Sequence, residues 1–399
     1  MADTYSVSFM LNTMRGAPVI NGNTPGCLIA ALDAVLVTGW GAAAPTSVVV
    51  ASGVATATFA SATAWQVHAV IEVSGGTPGA INGKARVATS AGNTLTWATS
   101  AADGTYTGSI SIKYASAGWE KVFSEGTTKA VYRSTDVTSS RRYYRVDDSN
   151  NQKARVRGYG SMTDVDTGTE PFPMDAQISG GGYYIKSYYA ANSVAIPYLI
   201  AANSKTMLIA ICLGVAYGAG TMQSGVRGWG DPISLNPAGD IYSAFLSARG
   251  SDASGYLDVG ALDGSTTDSS ANGFTFAMRA SGGAAGAAWQ RPFPESGLLT
   301  ALSGRCDYFG AAPSAVDGQV KHCRMLLKDQ DAGAPARAVV PGVRYIPQTS
   351  ARTALDTALA LVDGAGEFAG RKFGVIYTDT YGYSITAPGA SLVDLTGPW

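Results

Sequence analysis

A break in texture limits what this chain can fold into. From Gly26 to Leu36 large apolar residues recur at helical spacing, and the segment ends in Val37–Thr38–Gly39–Trp40–Gly41. From Ala117 to Phe123 the chain again carries aromatics, charges and bulky residues. Residues 46–113, between them, are mostly Ala, Ser, Thr, Val and Gly with few charges. That stretch has the size and alternation of a small β domain, so its ends near Pro45 and Tyr114 must lie together if a host domain is to close around it. A host interrupted by a low-charge β module points to a modular architectural protein more than to an enzyme.

Within the insertion, strands are expected at Ser47–Val50, Val54–Phe59, Val67–Val73, Arg86–Ser90, Thr94–Ala98 and Thr107–Lys113, punctuated by Gly and Asn. That number of strands in so short a span implies a small barrel or sandwich. One helix is expected upstream. Thr24 serves as N-cap and Pro25 as the first helical residue, with an apolar face of Leu28, Ile29, Leu32, Val35 and Leu36 and a stop at Gly39. Strand texture continues beyond the insertion, at Lys129–Tyr132, Arg141–Val146, Ala154–Gly158, Tyr183–Tyr188, Thr206–Val215 and Ile241–Ala248. Further strands are expected at Phe274–Arg279, Lys321–Leu327, Arg371–Tyr377 and Val393–Trp399, and a second helix at Ala351–Val362.

The fold class expected is mainly β, with β-sandwich or barrel domains, one short N-terminal helix and an inserted small β domain. The glycine-dense stretch Tyr217–Gly230 marks a division. The domains are then a host at 1–45 plus 114–225, the insertion at 46–113 and a C-terminal β domain at 226–399.

Composition excludes several function classes. Charged residues are 14% of the chain, against about 25% in an average soluble protein. The formal net charge is −1, which offers no electrostatic basis for a nucleic-acid partner. A near-neutral surface is poorly protected against association, so it is expected to be covered by other subunits. Disorder is not expected, because 20 Tyr, 11 Phe and 7 Trp supply buriable area. The opening residues from Met1 to Tyr5 lack a secretory pattern, and the run Met207–Leu213 has a buried strand's length, not a membrane span's. Cys27, Cys212, Cys306 and Cys323 are too scattered for a disulfide framework. Assembly in the cytoplasm, without membrane insertion, is expected.

Chemistry-bearing motifs are few. Asp166–Thr167–Gly168 could build an aspartic-protease dyad across a dimer, but Asp and Gly are also the usual residues of a turn, and the turn is the expectation. His322, Cys323 and Cys306 lack the paired short spacing of a zinc site. His68 reads as a half-buried strand residue. The loop Gly364–Gly370 precedes a strand where a dinucleotide site needs a helix N-terminus. No enzyme activity, cofactor or metal is expected. The aromatic strings Arg141–Arg145 and Tyr183–Tyr189 read as core on one face and subunit contact on the other. Tyr183, Tyr184, Tyr188, Tyr189 and Trp399 are therefore the interface candidates.

Several strings occur together: Met14–Arg15–Gly16–Ala17–Pro18 before the helix, Gly118–Trp119–Glu120–Lys121 after the insertion, then Lys129–Ala130–Val131–Tyr132–Arg133–Ser134, Arg145–Val146–Asp147–Asp148, Met162–Gly168 and the closing Asp394–Trp399. They resemble a family of virion structural proteins encoded among the tail genes of tailed bacteriophages, over residues 9–225 and more weakly at the C-terminal end. The resemblance implies a component of the tail tip or baseplate and brings no catalytic motif. The partners it implies are other tail or baseplate proteins and a tail fibre; the low charge, abundant aromatics and lack of catalytic groups lead to the expectation of a homotrimer or homohexamer. Its location would be the tail of the virion. The alternatives are a receptor-binding tail protein and a capsid decoration protein.

Overall fold

The computed structural model describes residues 5–187, 192–213, 224–250, 262, 274–279, 288–295, 310–329, 335–348, 350–355, 357–379 and 388–399. The protein is mainly β. All strand pairings between its named strands are antiparallel, as hairpin-linked sheets require. A five-stranded meander runs Trp119–Glu125, Lys129–Ser134, Tyr143–Asp147, Lys153–Tyr159 and Gly182–Ile185. A larger sheet of 13 strands starts at Ser8–Leu11, which pairs with Tyr198–Ala202, and passes through Thr206–Ile211, Val226–Gly230 and Tyr242–Ala248. It ends with Ala336–Tyr345, Pro388–Asp394, Lys372–Asp379 and Leu361–Asp363.

This sheet curls back on itself. Ile233–Ser234 crosses from its first half to pair with Ala336–Tyr345. Lys372–Asp379 passes so close over Tyr198–Ala202 that a Cβ on Gly374 would sit 2.5 Å from Leu199 Cδ1. Tyr198–Ala202 and Thr206–Ile211 are consequently buried on both faces, which is why they read as continuous apolar runs and not as alternation. Residue 226 falls inside this sheet, where Thr206↔Gly230 through Ala210↔Val226 hydrogen-bond as neighbours. Its first strand comes from residues 8–11, so N-terminal, central and C-terminal segments share one sheet.

The insertion is an eight-stranded sheet in which Trp40–Ala43 joins the strands of residues 47–114. Trp40 pairs with Tyr114 and Ala43 with Ile112, so its two ends lie side by side. Thr77 bridges Thr107 and brings the far edge back toward the strand Val70–Ser74, a barrel-like closure. Inward positions carry Val48, Val50, Ala55, Ala57, Leu95 and Trp97, all essentially inaccessible. The strand expected at Val67–Val73 begins at Val70. His68 instead occupies a turn with φ of 72°, and its carbonyl accepts a hydrogen bond from Arg86 Nη1 at 2.7 Å.

The first helix is shorter and capped differently than Thr24 and Pro25 imply. It spans Cys27–Asp33 and continues as a π-helical turn over Ala34–Thr38. Gly39 ends it in a left-handed conformation, its N–H reaching back to Ala34 O at 2.9 Å. Gly26 precedes it without a side-chain cap. The second helix covers only Ala351–Leu355, because Leu359 turns the chain at φ 61° and Leu361–Asp363 then pairs with Lys372–Gly374. The terminal strand runs Pro388–Asp394 and does not reach Trp399.

Candidate functional site

The first helix takes its cap from across the molecule. Asp148, just past the strand Tyr143–Asp147, accepts hydrogen bonds at Oδ2 from Leu28 N (2.8 Å) and Ile29 N (3.4 Å). Its other oxygen pairs with Lys186 Nζ, and neither side chain has any accessible surface. Burial pushes the Asp148 carboxyl up to about 6, against the opposing pull of Lys186 and of the helix N–H groups. The pair ties helix, five-stranded sheet and the end of Gly182–Ile185 together. Its environment is closed, so it serves the fold and is not open to a substrate. Nothing in the local sequence marks it: Lys186 sits in an alternating aromatic string that reads as an exposed lysine.

Asp166 is engaged within its own chain. Its carboxylate accepts from Lys129 Nζ (2.8 Å) and Arg145 Nη2 (2.5 Å), and these hydrogen bonds hold it below the usual carboxylate range. Asp164 Oδ1 accepts from the backbone N–H of Asp166 and Thr167 at 2.8 and 2.7 Å. The motif is thus the turn of the small hairpin Ser161–Met162/Gly168–Thr169. His322 packs edge-on against Phe368 with ring centroids 4.8 Å apart, and burial lowers its pKa. Cys306 lies outside the described residues. Among the described residues no three His, Cys, Asp or Glu side chains gather as a metal site, and no helix is long and apolar enough to cross a membrane.

The aromatic candidates separate by strand parity. Tyr183 faces outward beneath Arg155, whose guanidinium carbon lies 4.0 Å from the ring centroid. Tyr184 is a core residue without accessible surface, 5.8 Å from the Trp229 ring, and presents nothing to a partner. Tyr188 and Tyr189 lie outside the described residues. Trp399 is half-buried, with its indole N–H donating to Asp394 O at 2.8 Å. Its ring lies over Gly342, where a Cβ would come within 2.5 Å. Asp394 makes that return possible, since its Oδ1 accepts from Thr396 N and Gly397 N, both at 3.0 Å.

Two open surfaces remain. On the inserted module, register places Thr105, Val49, Thr56, Thr96 and Thr89 in one row across five strands. The flanking outward positions are Ser47, Ala51, Val54, Thr58, Thr94 and Ala98. These positions bear no charge; the outward Lys84 and Arg86 of the strand Gly83–Ala91 lie beyond them, beside Val70–Ser74. The second surface is a cleft of about 320 Å³ beside Trp399, lined by Arg324, Arg344, Arg371, Glu367 and Phe368. It continues past Ile233, Pro341 and Trp399 into a neighbouring hollow lined by Asp231 and Tyr242. The low overall charge hinted at the first surface. The second joins residues from far-apart strands, and no local motif marks it.

A scan against protein-family models and a search of curated proteins find no match for this chain.

Proposed function

We propose that this chain is a structural subunit of a bacteriophage tail tip or baseplate. In that role it builds a symmetric assembly of three or six copies and attaches fibres or neighbouring tail proteins. The observation that carries the proposal is the uncharged patch on the outer face of the inserted module, around Val49, Thr56 and Thr96. Surfaces that stay in water ordinarily intersperse charges of both signs. A row of Thr and Val across five adjacent strands, flanked by Ser, Thr, Val and Ala, makes a patch whose desolvation costs little, which suits contact with another subunit. The resemblance of residues 9–225 to virion structural proteins supports the same reading. So does the engagement of the charged motifs, since the surface carboxylate of Asp166 and the buried Asp148–Lys186 pair are used in holding turns and helix in place.

The reading is tested by cryo-electron microscopy of intact particles carrying a density label fused at this subunit. Label density is expected in a three- or six-fold ring at the tail end, with the module face against a neighbour. Label on the capsid, or none on the particle, would count against it.

A further inference from the structure

Arg344 alternates with the buried Val343 and Tyr345 on the strand Ala336–Tyr345 and lines the cleft beside Trp399. The arginines around it are already engaged. Arg324 Nε donates to Glu295 Oε2 at 2.9 Å, and Arg371 Nη1 donates to Asp394 Oδ2 at 2.7 Å. Among the described residues Arg344 makes neither a hydrogen bond nor an ion pair; its guanidinium carbon rests 4.8 Å from the Phe368 ring centroid. Burial holds its pKa below the ordinary arginine value, aided by Arg371 and Arg324 and opposed by Asp394 and Glu367. A half-buried guanidinium with no carboxylate hydrogen-bonded to it, Asp394 and Glu367 acting only from a distance, keeps its capacity for charge-assisted hydrogen bonds.

We infer that this cleft binds a carboxylate-bearing sugar, with Arg344 taking the carboxylate. The planar guanidinium fork matches a carboxylate, and stacking on Phe368 fixes its plane before the ligand arrives. Phe368 and Trp399 offer apolar ring surface to the C–H face of a pyranose. Glu367, on the exposed turn Gly366–Phe368, supplies acceptor oxygens that sugar hydroxyls can satisfy. A volume of about 320 Å³ suits one monosaccharide at the lower end of ligand-site sizes. An acidic peptide side chain would engage the same fork, but it brings no hydroxyl to Glu367 and meets its charge instead. The site would add surface recognition to the structural role and does not depend on it.

The test is calorimetric titration of the full chain with methyl glucuronide, methyl glucoside, acetate and a glutamate-rich peptide. Glucuronide is expected to bind, with each of the others weaker by about tenfold or more, the scale of losing a charged hydrogen bond. Arg344→Gln should weaken glucuronide by about tenfold or more, and Arg344→Lys, which keeps the charge without the fork, by less. Circular dichroism matched to the wild type establishes that a variant is folded. If Arg344→Gln does not fold, Arg344→Lys alone decides. The inference is overturned if glucuronide fails to bind the wild type, if it binds a folded Arg344 variant unchanged, or if acetate or the peptide binds as tightly.

Discussion

Asp148 shows how one carboxylate can serve two distant elements. It satisfies two N–H groups at the start of the helix Cys27–Asp33 and balances a lysine that has no access to water. Replacing it with Asn leaves Lys186 charged, buried and unpaired, the situation in which broken buried pairs cost about 3–5 kcal/mol. Urea unfolding of Asp148→Asn should show a loss of that size, and Asp148→Asn combined with Lys186→Met should cost less than the two single changes summed. Asp166 gives the contrasting case. Its side chain is 47% exposed, so its two ion pairs are screened and Asp166→Asn should cost only about 0.5–1 kcal/mol at neutral pH. The carboxyl is depressed in the folded state, so its contribution is present above the unfolded value of about 3.9 and is lost as pH falls through the folded one. The stability gap between wild type and Asp166→Asn should therefore close below about pH 4. A gap that persists in acid would contradict this.

At the scale of elements, the helix was legible as a helix and so was its stop, but its start was not. Leu28, Ile29, Leu32, Val35 and Leu36 are all buried, as their spacing implies. The cap came from Asp148, 120 residues away from Leu28, and no local pattern can announce such a partner. The stop at Gly39 was legible because glycine alone tolerates a left-handed backbone there without cost. A Cβ on Gly39 would also lie 2.3 Å from Tyr114 O, the point where the module re-enters the host. Gly39→Ala should thus destabilise by about 2–3 kcal/mol through strain and collision together. Thermal melts would check this, and an unchanged melting temperature would refute the tight junction. Strands of the insertion were readable because Val48, Val50, Leu95 and Trp97 alternate with Ser, Thr and Ala. The strand ends at Val70 and Gly182 shifted because turns at His68 and Gly180–Gly181 are held by tertiary hydrogen bonds, and the end at Asp394 because its own carboxylate turns the chain locally at Thr396–Gly397. The cleft around Arg344 was invisible for a related reason: its residues come from separate strands and a short turn that only the curled sheet brings together.

For the whole molecule, sequence periodicity supplied the β class. It could not supply the long sheet, whose pairings of Ser8–Leu11 with Tyr198–Ala202 and of Ile233–Ser234 with Ala336–Tyr345 span wide gaps in sequence. Aromatic rings fasten the sheets to each other: Trp229 stacks on Tyr144 at 5.5 Å and lies near Tyr184, while Trp40 and Trp65 both meet Tyr114 at the base of the module. The proposed association rests on the uncharged patch around Val49, Thr56 and Thr96. Native mass spectrometry of the full chain, compared with the double variant Val49→Lys and Thr96→Lys, tests this directly. Both positions face outward in the same row, so the lysines should leave the fold intact. The wild type is expected as a trimer or hexamer and the variant as a folded monomer; a monomeric wild type, or a variant that assembles equally well, would contradict the account.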